Sequence, residues 1–243
     1  MELRGRVALV TGGGHRVGRA IALALGRKGM RVAVHYNAAQ QQAAETVREL
    51  EMGGARASSF AADLTRADAP QTLVDAVVER FDGIDVLVNS AAVMNRTPFG
   101  EITPAQWDDI VLLNLRAPFF LAQAAAPHLR RAKGAIINIA DLAAFETWPA
   151  YLPHGISKAG VVHMTRSLAK VLAPEVRVAA IAPGTVLMPE NWSEHDAEHL
   201  RATTPLQRHG SPSDVTATLL FLLEEDFITG ETIIVDGGRH IRR

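Results

Sequence analysis

The stretch Thr11-Gly12-Gly13-Gly14-His15-Arg16-Val17-Gly18 has the residue types and spacing to hold an anion. The apolar run 7–10 enters it, and an Ala/Leu-rich segment from Arg19 to Lys28 leaves it with helical spacing at Ile21, Ala22 and Leu25. Strand, glycine turn and helix in that order set bare backbone N–H groups at the positive end of a helix, where a dinucleotide's pyrophosphate is stabilised. Gly12 and Gly14 permit a tight turn, and Gly18 lets helix and strand pack closely. The plainer alternative is a glycine-rich turn without a ligand. Charge then addresses which dinucleotide. An acid at the end of the second strand would hydrogen-bond a ribose 2′-OH and repel a 2′-phosphate. No acid lies between Arg31 and Gln42, and the strand ends in His35-Tyr36-Asn37, beside His15 and Arg16 of the first turn. The expected cofactor is therefore NADPH; His35 as a solvated strand-end residue is the competing reading.

The elements that must position these groups alternate regularly along the chain. Apolar runs at 31–36, 57–61, 84–88, 135–139, 176–181 and 231–235 read as strands. Helical spacing covers 38–52, 73–81, 104–131, 151–172 and 213–223. A polar segment runs from Pro189 to Pro205. This alternation predicts an α/β chain, one Rossmann-type, doubly wound parallel sheet with helices on both faces, forming a single domain over residues 1–243. Polar residues that follow strands (Thr11, His35, Asp63, Asn89, Asp141 and Pro183-Gly184) then collect along one crevice at the strand ends. Asn114 falls in the middle of a helical stretch, where asparagine is a poor former, so a buried polar role is expected.

Composition narrows the partners. The 243 residues are 48% apolar and 21% charged, ordinary for a globular chain. Lys+Arg at 25 against Asp+Glu at 26 leaves no basic field for nucleic acid or an acidic membrane. There is no cysteine, hence no disulfide or thiolate chemistry. No signal peptide precedes the first strand and no apolar run approaches bilayer length, so a cytoplasmic, soluble protein with a small-molecule substrate is expected.

Taken together, Thr11-Gly12…Gly18, Asp63, Asn89-Ser90-Ala91, Asn114, Asp141, Lys158 and Pro183-Gly184 resemble, in order and spacing, the short-chain dehydrogenase/reductase family, from about residue 5 to Gly238. Within it the chain looks most like the pteridine reductases, on Arg16 in place of a middle glycine, the His35-Tyr36 pair, and Asp141 where most relatives carry serine. The ending Asp236-Gly237-Gly238-Arg239-His240 is similar to that of bacterial dihydromonapterin reductases. The resemblance implies that Asp63, with Leu64 beside it, contacts the adenine; a plain N-cap of the next helix is the alternative. It implies that Asn89, Ser90 and Ala91 fix backbone near the cofactor, that Lys158 binds the nicotinamide ribose, that Asn114 interrupts its helix and holds a water leading to Lys158, and that Pro183, Gly184 and Thr185 lie beside the nicotinamide amide. It also implies a substrate lid at about 186–205 and a homotetramer built through the long helices.

The family's catalytic tyrosine stands four residues before the lysine; here that position is His154. Tyr151 lies one helical turn further back, out of place for the missing phenol. Asp141, 13 residues upstream, is expected to face the imidazole and favour its charged form, while Lys158 and the nicotinamide oppose it. A histidine so balanced can pass a proton. The competing reading makes His154 a remnant in a fold that binds cofactor and turns over little. For the substrate, Arg16 and Asp141 would pair with a pterin's pyrimidine edge. Met94 stands where many pteridine reductases stack the pterin on phenylalanine, and Trp192 would supply a second face or serve as a surface anchor. The expected reaction is hydride transfer from NADPH to a dihydropterin-like substrate, with another small ketone or alcohol, or weak catalysis, as alternatives.

Overall fold

The computed structural model describes residues 1–188 and 193–241. Seven strands, β1 (Val7–Val10), β2 (Arg31–Tyr36), β3 (Ala57–Ala61), β4 (Val86–Asn89), β5 (Ala135–Ile139), β6 (Arg177–Pro183) and β7 (Thr232–Val235), form one parallel sheet in the order β3-β2-β1-β4-β5-β6-β7. β1, β4 and β5 are buried along their whole length, as continuous apolar runs in a sheet covered on both faces should be. The chain winds outward from β1 to β3, then returns to start the other half at β4. The connections leaving the paired strands β1 and β4 therefore run to opposite faces of the sheet, which opens a crevice at the strands' C-terminal ends.

The described residues include eight α-helices: α1 (Arg16–Arg27), α2 (Gln40–Met52), α3 (Ala69–Phe81), α4 (Pro104–Val111), α5 (Ala117–Ala132), α6 (Leu152–Leu172), α7 (Glu194–Thr203) and α8 (Pro212–Glu224). On one face of the sheet Ile21 and Leu25 of α1, Leu50 of α2 and Leu219 and Leu222 of α8 pack on Val10, Val34 and Val88. On the other, Val74 and Val77 of α3, Leu121 and Leu129 of α5 and Leu172 of α6 pack on Leu9 and Leu87. Burial of these side chains contributes roughly 1.5–3 kcal/mol each.

Three features add to the sequence reading, the first as the family resemblance implied for Asn114. The helix expected over 104–131 is broken by a π-helical turn, Leu112–Arg116, that contains Asn114. The polar segment 189–205 contains α7, opened by a reciprocal cap between Ser193 and Asp196. Only Leu200 of α7 is buried, so no apolar stripe announces it. The continuous helical path Pro104–Ala132, π-helical turn included, is by length and composition long enough to cross a membrane. It qualifies on average hydropathy; Leu121, Ala125 and Leu129 are spent in the protein's own core.

Candidate active site

The glycine turn is tight because no side chain fits inside it. Gly12 has φ 65°, and a Cβ on Gly18 would sit 2.1 Å from the Gly12 carbonyl oxygen. Arg16 adopts φ 51°, a left-handed conformation that glycine favours, which accounts for the glycine most relatives are expected to carry there. No side chain caps the N-terminus of α1, and no acid lies in its first turn. Thr11 Oγ1 accepts from the Ser90 and Ala91 amides at 2.9 and 3.0 Å, lacing the turn to the end of β4. A backbone cradle closed to any Cβ, leading to an uncapped helix start, fits a dinucleotide's pyrophosphate.

Beside the turn lies a cleft of about 570 Å³. Of the expected cofactor residues, Gly12, His15, Arg16, Val17, Ser90, Ala91, Lys158, Pro183, Gly184 and Thr185 line it. Gly14 does not: its Cα faces α2, where a Cβ would meet the Ala43 amide nitrogen at 3.1 Å. Asn37 is exposed, Tyr36 packs against the core, and Leu64 is buried, leaving Leu64 only its backbone to offer. His35 is neither solvated nor open to a phosphate. It is buried, with Nδ1 accepting from the Gly12 amide at 3.2 Å and Nε2 donating to the Ala62 carbonyl at 3.0 Å. Asp63 is not the cap of α3, whose N-cap is Asp68. It closes a local turn instead, accepting from the Thr65 amide and hydroxyl at 3.0 and 2.7 Å, and these bonds hold its carboxyl below the usual range. Asn89 is buried under the cleft and donates to Asn138 on β5 at 2.9 Å; Asn138 in turn donates to Thr165 on α6 at 2.9 Å.

Across the cleft, Asp141 caps a short 3₁₀ turn, Leu142–Ala144, through Oδ1 and the Ala143 amide at 2.8 Å. Its Oδ2 lies 3.6 Å from His154 Nε2. His154 is held from the other side: Nδ1 donates to the Val93 carbonyl at 3.2 Å. That carbonyl is itself fixed, because Asn114 grips the Val93 peptide with both ends of its amide, accepting from N–H and donating to C=O at 2.9 Å each. Asn114 also donates to Ser157 Oγ at 3.2 Å. His154 Nε2 is buried with no hydrogen-bond partner among the described residues. One turn along α6, Lys158 is buried and donates to the Ile139 carbonyl at 2.8 Å. Desolvation pushes its ammonium down to about 8, against the opposing pull of Asp141.

The cleft thus gathers Asp141, His154, Lys158, Arg16 and Met94, with Asn114 behind it; Trp192 lies outside the described residues. Sequence reasoning passed over Trp148, which lines the same cleft edge-on to Tyr151 with ring centroids 6.4 Å apart and donates to Glu146 at 3.0 Å. Asn138 had a readable signal, an amide inside an apolar strand. Val93 and Ile139 had none, because each acts through its carbonyl.

The profile of the family described as enoyl-(acyl carrier protein) reductase matches residues 14–240. The chain is 34% identical over 240 residues to 3-oxoacyl-[acyl-carrier-protein] reductase FabG of Staphylococcus aureus, covering 96% of this chain and 98% of the relative. It is 33% identical over 246 residues to 3beta-hydroxysteroid dehydrogenase 1 of Eggerthella lenta, covering 98% and 94%. Among solved structures, a Sinorhizobium meliloti protein provisionally described as a short-chain alcohol dehydrogenase superposes with TM-score 0.94 at 36% identity, covering 100% of this chain and 99% of that one.

Proposed function

The chain belongs to the short-chain dehydrogenase/reductase family of oxidoreductases, and within it we propose an NADPH-dependent reductase of a dihydropterin-like substrate. The observation that carries this reading is the unpartnered Nε2 of His154, buried in the cleft between Asp141 and the glycine turn. A nitrogen so placed has no structural use for its proton, and a substrate is the group that can take it.

NADPH, when bound, supplies the hydride from nicotinamide C4. The chain supplies the rest. His15 answers the 2′-phosphate, with no acid on the second strand's end to repel it, and Lys158 holds the nicotinamide ribose. The His154 imidazolium keeps its Nδ1 proton on Val93 and gives its Nε2 proton to the substrate nitrogen or oxygen whose neighbouring carbon accepts the hydride. Asp141 stabilises that imidazolium and, being partly exposed, relays the replacement proton from solvent. Arg16 and Asp141 meet the donors and acceptors of a pterin's pyrimidine edge, while Met94, Trp148 and Tyr151 wall its faces.

A second reading, a small ketone as substrate, draws on Met94 in place of a stacking ring and on the reductase and dehydrogenase relatives named above. The working unit in either reading is a cytoplasmic homotetramer joined through α5 and α6, where Phe119 and Phe120 are exposed; light scattering from a monomer would refute the assembly. The deciding assay is NADPH oxidation with dihydrobiopterin or dihydromonapterin beside a panel of small ketones. Pterin turnover supports the first reading, and ketone turnover alone supports the second. NADPH binding without turnover of either class overturns both readings of the substrate and favours another substrate or a weakened enzyme.

A further inference from the structure

The glycine turn is braced from below by a side chain. His35 is 2% exposed and both its ring nitrogens are engaged, one on Gly12 in the turn and the other on Ala62 beyond β3. The Gly13 amide also donates to the His35 carbonyl at 3.0 Å, so residue 35 meets two successive amides of the turn. Nδ1 can accept from Gly12 only while it carries no proton, and the Ala62 carbonyl can be met only by an N–H. The two bonds together specify the neutral Nε2–H tautomer. Burial favours the same state, lowering the His35 pKa from 6.5, with the Ala62 bond a smaller opposing influence.

Among the described residues, the charged groups near the two partners are otherwise directed. His15 and Arg16 on the turn are exposed. The Asp63 carboxylate is taken by Thr65, Arg66 reaches Asp68, and Arg116 from the π-helical turn reaches the Thr65 carbonyl. On β3 the residue in register with His35 is Phe60.

We propose that His35 is the positioning residue of the dinucleotide turn, and that the turn is competent to bind only while His35 is neutral. A protonated ring would set an Nδ1–H against the Gly12 N–H, and one of the two donors would have to move. Because Gly12 opens the cradle, its displacement spreads to the amides that would face the pyrophosphate. The proposal rests on reading the turn as a dinucleotide site.

The test is NADPH affinity, by fluorescence titration, from about pH 5 to about pH 8 for the native protein, His35→Asn and His35→Leu. Asparagine keeps an oxygen acceptor near the Gly12 amide and cannot be protonated; leucine removes both bonds. The 2′-phosphate titrates near about pH 6 in its own right, but it does so equally for every protein and cancels in the ratio of dissociation constants. The native-to-Asn ratio should be flat from about pH 8 down through 6.5, because burial holds the folded His35 pKa below that value, and rise only below the lowered pKa, approaching about tenfold per pH unit. His35→Leu should bind about tenfold more weakly throughout, the cost of one lost hydrogen bond. Parallel pH dependence in native and His35→Asn proteins, or native affinity in a folded His35→Leu, overturns the proposal alone. NADPH binding absent from the native protein at every pH overturns the dinucleotide reading and this proposal with it. A ¹⁵N-histidine spectrum of the unliganded protein should give the neutral Nε2–H form for His35 at neutral pH, and the opposite tautomer would overturn the proposal whatever the affinities.

Discussion

Two histidines, one beneath the glycine turn and one lining the cleft, are equally buried, each 2% exposed, and their hydrogen bonds set them apart. His35 has a donor on one nitrogen and an acceptor on the other, so the ring is complete within the chain. His154 meets the Val93 carbonyl and, at 3.4 Å, the Asn114 amide nitrogen through Nδ1, while its Nε2 lies 3.6 Å from a carboxylate with no hydrogen-bond partner among the described residues. Burial alone would class both as core residues. Counting partners separates a brace from a reactive group, because a buried polar atom without a partner costs about 1–3 kcal/mol and persists where a function retains it.

The largest effect should come from removing the open nitrogen. His154→Phe is expected to lower kcat by about 10²–10⁴-fold, the usual contribution of a positioned acid, with the NADPH dissociation constant unchanged. Gly18→Ala attacks the other side. Its Cβ would meet backbone at 2.1 Å, so the turn must shift; a loss of about 1–3 kcal/mol or more in urea unfolding and weakened NADPH binding should follow. Asn114→Ala frees the Val93 peptide that orients His154. It should cut kcat by about tenfold or more and move the pH profile, whereas a merely structural role would lower Tm and leave the profile in place.

Two pH dependences are smaller. Lys158, brought down to about 8, must be charged to hold the ribose, so kcat/KM for NADPH should fall above about pH 8; Lys158→Arg should remove that limb. His35 binds a proton less readily folded than unfolded, so its stabilising contribution is complete above 6.5 and is lost as pH falls below that value. Native unfolding free energy should therefore decline below 6.5 more steeply than that of His35→Asn, measured by urea denaturation in parallel buffers.

Much of the fold was legible because it follows from local rules. The bounds of β3 and β5 were readable to the residue, β5 from a short apolar run and β3 from a strand-like stretch that stops before Asp63, and the glycine turn announced the first crossover. The polar helix α7 escaped for want of an apolar face; the break at Asn114 was implied by the family resemblance, while periodicity alone reads straight through a single added residue. In the site, the trio Asp141, His154 and Lys158 was visible from spacing, since strand ends and one face of α6 determine where those side chains go. What His35 does was not visible. Its partners are a turn amide and a carbonyl 27 residues away, and no residue type marks either.

The central claim, that the open nitrogen on His154 is the proton donor while the closed ring of His35 only braces, is tested most directly by turnover at saturating NADPH above pH 6.5. Native protein, His154→Phe and His35→Asn should be compared on whichever substrate the native protein reduces. The account predicts near-native kcat for His35→Asn and a loss of about 10²–10⁴-fold for His154→Phe. A native rate in His154→Phe would contradict it.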